Sequence, residues 1–420
     1  MAQLALLGGP AVGAPPRPQY PQFSSEAIAR VTQLLQSGQT VALGRNHPDL
    51  AEAEARISAF HSGRHALALN SGHAALMCGL MGLGIGPGDE VVTTPYTWGA
   101  SVSCILAVGA TPVFADVDPI SGLLETGSVE ASITPRTRAI LAVHLYGQPA
   151  NMPELQRIAR ARGLAVLEDG SQAHGATIDG EVVGNFSDAA AFSCMGFKLL
   201  ATSEAGYLVS PDESLVWKAG LMCQHKGRSD QQEFPKELLP YVDSLVYTFR
   251  LSPLVAALFP SQLDKLPAEV ANRQANAALL KEVLETRGWI RFPELPEGYR
   301  SSFHYLTLCV DTAACPVSRD RLLQALSAEG LDCTAYVPAP IYRWRRLAQQ
   351  GYSGPVPHWQ PQLRCASQDY ATLRLPGCEQ KVSTSIELSW NFTERSPQAM
   401  NQIAEIFHKV FDHVHELRTI

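Results

Sequence analysis

Between Phe192 and Gly206 runs the stretch FSCMGFKLLATSEAG, whose one basic residue is Lys198. A lysine set just after a short apolar strand is placed where burial lowers its pKa and makes the amine a nucleophile toward carbonyls. A snorkelling surface lysine has the same local sequence, so other groups must decide. Asn70-Ser71-Gly72-His73 closes one strand and opens a helix. Backbone N–H groups there, helped by the helix dipole, form an anion site suited to a phosphate. Trp98 follows Pro95-Tyr96-Thr97 just past a second strand end, where its face either stacks on a flat ligand or packs in the core. Asp169 closes the strand LAVLED, three residues before Gln172; a carboxylate there faces the ligand crevice or caps a helix. Ser193 offers a hydroxyl to the same phosphate. A phosphate cradle, a flat-ring stacker, a carboxylate and an amine together meet the needs of pyridoxal 5′-phosphate (PLP). The amine holds the aldehyde as a Schiff base, and the carboxylate keeps the pyridine nitrogen protonated so that the ring accepts electrons.

These residues need a frame that brings distant segments to one edge. HALALN, EVVTTP, TPVFADV, AILAVH and LAVLED read as strands, and GHAALMCGLMGLG, WGASVSCILAVG and MPELQRIARARG as helices between them. Apolar strands alternating with helices imply a mainly parallel sheet covered on both faces, with ligands beyond the strands' carboxyl ends. Ser24-Ser25 opens an earlier amphipathic helix with Ala27, Ile28, Val31, Leu34 and Leu35 on one face, stopped by Gly38. PDLAEAEARISAF suggests another. After Leu263 the pattern changes to a long helix, mixed strands through SSFHYLTLCVD, a Pro-rich region, and a last helix opened by Ser396-Pro397. The reading is a large domain over 1–263 and a smaller C-terminal α+β domain over 264–420.

Composition narrows the classes. The chain has 420 residues, 46% hydrophobic and 17% charged, with net charge −7 from 33 basic and 40 acidic residues. That balance argues against nucleic acid or an anionic membrane as the partner. Nine cysteines form no C-x-x-C pair, which suits free thiols in the cytoplasm. The apolar start has no basic flank, and no apolar run approaches the ~18 residues of a membrane span. Gly82-Leu83-Gly84-Ile85-Gly86 lies between helix and strand, the wrong order for a dinucleotide loop. His408, His413 and His415 lack further ligands at metal spacing, and no G-x-S-x-G elbow is present.

At these residues the chain resembles the DegT/DnrJ/StrS family of PLP-dependent, fold type I sugar and aminocyclitol aminotransferases. The resemblance covers nearly the whole chain and is strongest through GIGPGDEVVTTPYTW, TPVFADVDP, TPRTRAILAVHLYGQPANMPEL, LEDGSQAHGA and FSCMGFK. It implies a seven-stranded-type, mainly parallel sheet sandwiched by helices. It implies Lys198 as the Schiff-base lysine, Asp169 as partner of the pyridinium nitrogen and Gln172 as the contact to the phenolic oxygen. Gly72, His73 and Ser193 match phosphate-binding positions, and Trp98 the ring-stacking aromatic. It further implies a homodimer with shared active sites, and ping-pong transfer from glutamine or glutamate through pyridoxamine 5′-phosphate to a keto-sugar or keto-cyclitol, as in amino-sugar antibiotic biosynthesis.

The chain departs from that pattern in places. His73 stands where the family commonly has Thr, and Ser203-Glu204-Ala205-Gly206 replaces Gly-Glu-Gly-Gly. Thr248-Phe249-Arg250 replaces an Asn-x-Arg whose Asn reaches the neighbouring subunit's cofactor phosphate; Thr248 keeps a hydroxyl but is shorter. Ala339-Pro340-Ile341-Tyr342-Arg343 and Leu388-Ser389-Trp390-Asn391 look closer to the cyclitol and amino-shikimate branch than to the nucleotide-sugar branch. Arg250, Tyr342 and Arg343 are candidate substrate contacts, the arginines either gripping a donor carboxylate or forming surface ion pairs. Two alternatives stay open: a PLP-dependent lyase or aromatising synthase on a cyclitol-like acid, and a PLP-fold sensor without turnover.

Overall fold

Short apolar segments rich in Ala, Val and Leu form strands only if both faces are covered. In the computed structural model, which describes residues 3–43, 47–223, 226–231, 233–284, 288–348 and 366–419, this is how the first half folds. The strands are β1 (His65–Leu69), β2 (Glu90–Thr93), β3 (Thr111–Phe114), β4 (Thr137–Val143), β5 (Ala165–Asp169), the short β6 (Thr177–Ile178) and β7 (Glu181–Val182), β8 (Ala189–Ser193) and β9 (Gly206–Ser210). Seven of them form one sheet in the order β1-β9-β8-β5-β4-β2-β3. All its pairs are parallel except those of β9, which runs antiparallel to β1 and β8.

Successive side chains serve opposite faces. Leu67, Leu69, Leu141 and Leu167 join one apolar core, and Ala66, Ala68, Phe192 and Val209 join another. The helices are α1 (Ser25–Ser37), α2 (Pro48–Phe60), α3 (Gly72–Gly82) and α4 (Ala100–Ala107) in the first quarter. Helix α3 is buried along most of its length, including Ala74, Leu76, Cys78 and Leu80. Small residues make this possible: a Cβ on Gly79 would come 2.9 Å from the Leu167 side chain. Helix α1 is capped as read, with Ser24 accepting the Ala27 N–H and Gly38 left-handed at the end. Its apolar face is only half used, however, because Ala27 and Leu34 are buried whereas Ile28 and Leu35 stay exposed.

In the second half come β10 (Ile290–Arg291), β11 (Tyr299–Arg300), β12 (Tyr305–Val310), β13 (Cys333–Thr334) and β14 (Ser385–Ser389). Four make an antiparallel sheet in the order β10-β12-β14-β13, while β11 pairs with β6. The helix Phe259–Leu284 links the two cores: Phe259, Leu263 and Leu266 pack with the first half, Ala277, Leu280 and Leu284 with the second. The N-terminal segment, grouped with the large domain from sequence, packs Leu4 into this second core. The Ala5 and Val12 N–H groups both donate to the buried Glu329 carboxylate. No described helix is long and apolar enough to cross a membrane.

Candidate active site

Parallel strands end at one edge, so β1, β2, β5 and β8 deliver Ser71, Trp98, Asp169 and Lys198 to the same side of the sheet. Strand β9 is antiparallel and presents its first residue, Gly206, there. The junction is tight. A Cβ on Gly206 would lie 2.4 Å from the Ser71 carbonyl carbon, and one on Gly72 would lie 2.4 Å from Ser193 Cβ. Only glycine at these two positions lets the start of α3 seat beside Ser193. The Ser71 hydroxyl caps the helix by accepting the Ala74 N–H at 3.1 Å, leaving the N–H groups of the first turn turned toward the crevice.

The result is a cavity of about 470 Å³ whose lining includes Gly72, His73, Trp98, Asp169, Gln172, Ser193 and Lys198. Asp169 is 5% exposed. Its Oδ2 accepts the Ser101 hydroxyl at 2.7 Å and its Oδ1 the Ser171 N–H at 3.1 Å, so the carboxylate is aimed from both sides. Gln172 is held at both ends of its amide: Oε1 accepts the Tyr146 N–H at 2.8 Å, and Nε2 donates to the Tyr336 hydroxyl at 3.1 Å. Burial pulls the Lys198 amine down to about 8, with Asp169 and Cys194 pulling the other way. Among the described residues, Lys198 makes no side-chain hydrogen bond or ion pair. Burial also lowers the His73 imidazole, opposed by Asp169, and its Nε2 lies 3.1 Å from the Ser103 hydroxyl. Trp98 is 63% exposed, so it is not a core residue; its ring tilts against Tyr336 at 6.4 Å.

Four candidates lie outside this cavity. Thr248 is exposed, and its carbonyl accepts from Asn70 Nδ2 at 3.4 Å. Arg250 pairs by backbone with Leu69. Tyr342 is buried in an apolar cluster with Phe114 and Tyr370. Tyr342 and Arg343 are both held by Glu379, whose Oε1 accepts the Tyr342 hydroxyl at 3.1 Å and Arg343 Nη2 at 2.6 Å.

The structure adds residues that the sequence reading passed over. Ser101 orients Asp169, and its place in the first turn after Trp98 was the available signal. His304, Tyr305 and Tyr336 line the cavity from the second half of the chain, and Glu204 from the loop after Lys198. No local pattern marks the first three, because their place depends on how the two halves dock.

The cavity's residues fit PLP. The glycine-built junction leaves first-turn N–H groups beside a serine hydroxyl, an unpaired amine faces the cavity, and a fixed carboxylate lies in the same wall. The comparisons agree with this chemistry. The DegT/DnrJ/EryC1/StrS aminotransferase family matches residues 21–360. The chain is 35% identical over 427 residues to an L-glutamine:2-deoxy-scyllo-inosose aminotransferase of Streptomyces lividus, covering 98% of this chain and 99% of that protein. It is 36% identical over 298 residues to a UDP-N-acetyl-3-dehydro-alpha-D-glucosamine 3-aminotransferase of Acidithiobacillus ferrooxidans, covering 71% of this chain and 76% of that protein. Among solved structures, an aminotransferase from Psychrobacter cryohalolentis superposes with a TM-score of 0.83 at 27% identity, covering 95% of this chain and all of that one. This chain belongs to the DegT/DnrJ/EryC1/StrS aminotransferase family.

Proposed function

We propose that the protein is a PLP-dependent aminotransferase that moves an amino group from glutamine to a keto-cyclitol, acting as a homodimer. The observation that carries this is the meeting of Lys198, Asp169, Ser193 and the start of α3 in one cavity. When bound, PLP supplies an electron sink that stabilises negative charge at the substrate carbon. Lys198 would hold it. The first-turn N–H groups of Gly72 and His73, with the Ser193 hydroxyl, would hold its phosphate. Asp169 would face the ring nitrogen and Gln172 the phenolic oxygen. Trp98 would cover the ring.

The chain's own residues then have defined tasks. Lys198 Nζ, with a pKa of about 8, exchanges a proton near neutral pH without a large penalty in either direction. Once the donor's amine has displaced it from the cofactor, Lys198 Nζ would take the proton from the donor's α-carbon and, in the reverse sense, return one to the acceptor's carbon. Ser101 and Ser171 keep Asp169 fixed, so no reorganisation is needed as charge develops. Trp98, Tyr305 and Tyr336 give the mouth an aromatic rim that sheds water and suits the C–H faces of a polyol ring. Thr248, exposed at the surface, would serve a partner subunit rather than its own cavity.

The keto-cyclitol is favoured over a nucleotide-linked keto-sugar because the S. lividus relative matches along 98% of the chain, including the second half that lines the cavity. Glutamine is favoured as donor because that relative's name specifies it. The test is to incubate the PLP-loaded protein with glutamine and 2-deoxy-scyllo-inosose and follow the amine by mass spectrometry. Aminated cyclitol formed with donor consumption supports the reading. An elimination product with no donor consumed, or no change in cofactor absorbance with any donor, contradicts it.

A further inference from the structure

His304 is built into the cavity wall with unusual care. The residue before it, Phe303, holds a left-handed backbone at φ +50°, and Tyr146, across from it, does so at φ +61°. Bulky residues adopt this conformation only when their surroundings enforce it, and such outliers gather at functional sites. The two turns lock together: His304 N–H donates to the Tyr146 carbonyl and Ser302 N–H to the Gly147 carbonyl, both at 3.0 Å. Arg273 Nη1 donates to the Phe303 carbonyl at 3.2 Å. A Cβ on Gly147 would come 2.6 Å from Phe303 N and 3.0 Å from His304 N, so the approach depends on that glycine. Tyr146 in turn supplies the N–H that orients Gln172.

What this scaffold presents is an imidazole only 7% exposed, lining the cavity beside Lys198, Tyr305 and Tyr336. Its Nδ1 is buried and has no hydrogen-bond partner. Nδ1 is thus closed off from the cavity, and Nε2 is the ring nitrogen open to a ligand there. Burial, Lys198, Arg273 and His174 all push its pKa well below the ordinary value, so the ring is neutral. A neutral imidazole offers one N–H and one lone pair. At the open nitrogen a hydroxyl can meet either one, as acceptor of the N–H or as donor to the lone pair, and the ring lacks the positive charge that a carboxylate selects.

We propose that His304 determines acceptor specificity by hydrogen-bonding a ring hydroxyl of the polyol acceptor. This rests on the amino-transfer reading above and adds a residue and a recognised group to it. The donor, an amino acid without a hydroxyl, has no use for this contact, so the two half-reactions separate. A site built to hydrogen-bond a hydroxyl loses much of its grip when the protein partner is removed.

The experiment uses the cofactor-loaded protein, His304→Phe and His304→Gln, with the two half-reactions measured separately. In His304→Phe the KM for 2-deoxy-scyllo-inosose should rise by about tenfold or more. His304→Gln, which keeps a donor and an acceptor, should recover most of that loss. The glutamine half-reaction should stay within about threefold of wild type in both variants. Calorimetric binding of the aminated product to the loaded proteins should follow the same order. Equal losses in both half-reactions, no loss in either, or failure of both variants to load cofactor would each overturn the proposal. A wild-type protein that transfers no amine from glutamine would instead overturn the function proposed above.

Discussion

Two lysines sit deep in this molecule, and their surroundings differ in kind. Lys381, in the helix Pro376–Thr384, is fully buried and satisfied: its ammonium donates to the Ile120 carbonyl and the Thr307 hydroxyl, each at 2.8 Å. Thr307 passes the contact on to the buried Glu387 carboxylate at 3.0 Å. Lys198 faces a cavity with Asp169 near enough to be felt but without a hydrogen bond of its own, and its pKa falls to about 8. A buried charge whose donors are all used is part of the architecture. A buried amine left without partners is available for chemistry. The contrast can be broken at either end.

The largest effect is expected from Lys198→Ala, which should lower amino transfer by at least ~10³-fold while the circular dichroism spectrum stays native. Activity within tenfold of wild type would erase the distinction between the two lysines. Next is Asp169→Asn, which keeps the shape and the Ser101 contact but removes the charge. It should cost about 10²-fold in turnover at saturating donor, read by stopped-flow absorbance. Lys381→Ala should behave in the opposite way. It leaves the Ile120 carbonyl without its partner and opens a cavity, at about 2–4 kcal/mol in urea unfolding. Protein that remains folded should keep its turnover within about threefold.

The smallest effect concerns pH. Lys198 has a native pKa of about 8 against an ordinary 10.5. Below 8 both folded and unfolded chains carry the proton, and the folded state bears the full cost of burying it. Between 8 and 10.5 only the unfolded chain binds the proton, so stability of the cofactor-free protein rises with pH. Lys198→Met should therefore be more stable than wild type at pH 7 by about 1–3 kcal/mol, with the gap closing toward pH 10.5. A gap that is constant across this range would mean that the amine is not desolvated.

Legibility from sequence followed the same divide. The strands through Asp169 were readable because each is a short apolar run closed by a turn, and the order of Gly72, Trp98, Asp169, Ser193 and Lys198 follows from parallel strands ending together. The antiparallel strand β9 leaves no local mark, because Gly206–Ser210 reads like any buried strand. Ile28 and Leu35 share a helical face with the buried Ala27 and Leu34 yet stay exposed, because the period reports which residues share a face but not what covers it. Tyr342 and Arg343 were candidate substrate contacts, and their common partner Glu379, more than thirty positions away in the chain, left no mark in their local sequence. His304 was invisible for the same reason: its role comes from a docking of two strained turns, at Tyr146 and Phe303, that no spacing records.

The most direct test of the central claim is chemical. Purified protein incubated with PLP and reduced with borohydride should carry the cofactor on one peptide, the one containing Lys198. Label on Lys381 or any other lysine, or no label on a protein that has taken up cofactor, would contradict the account.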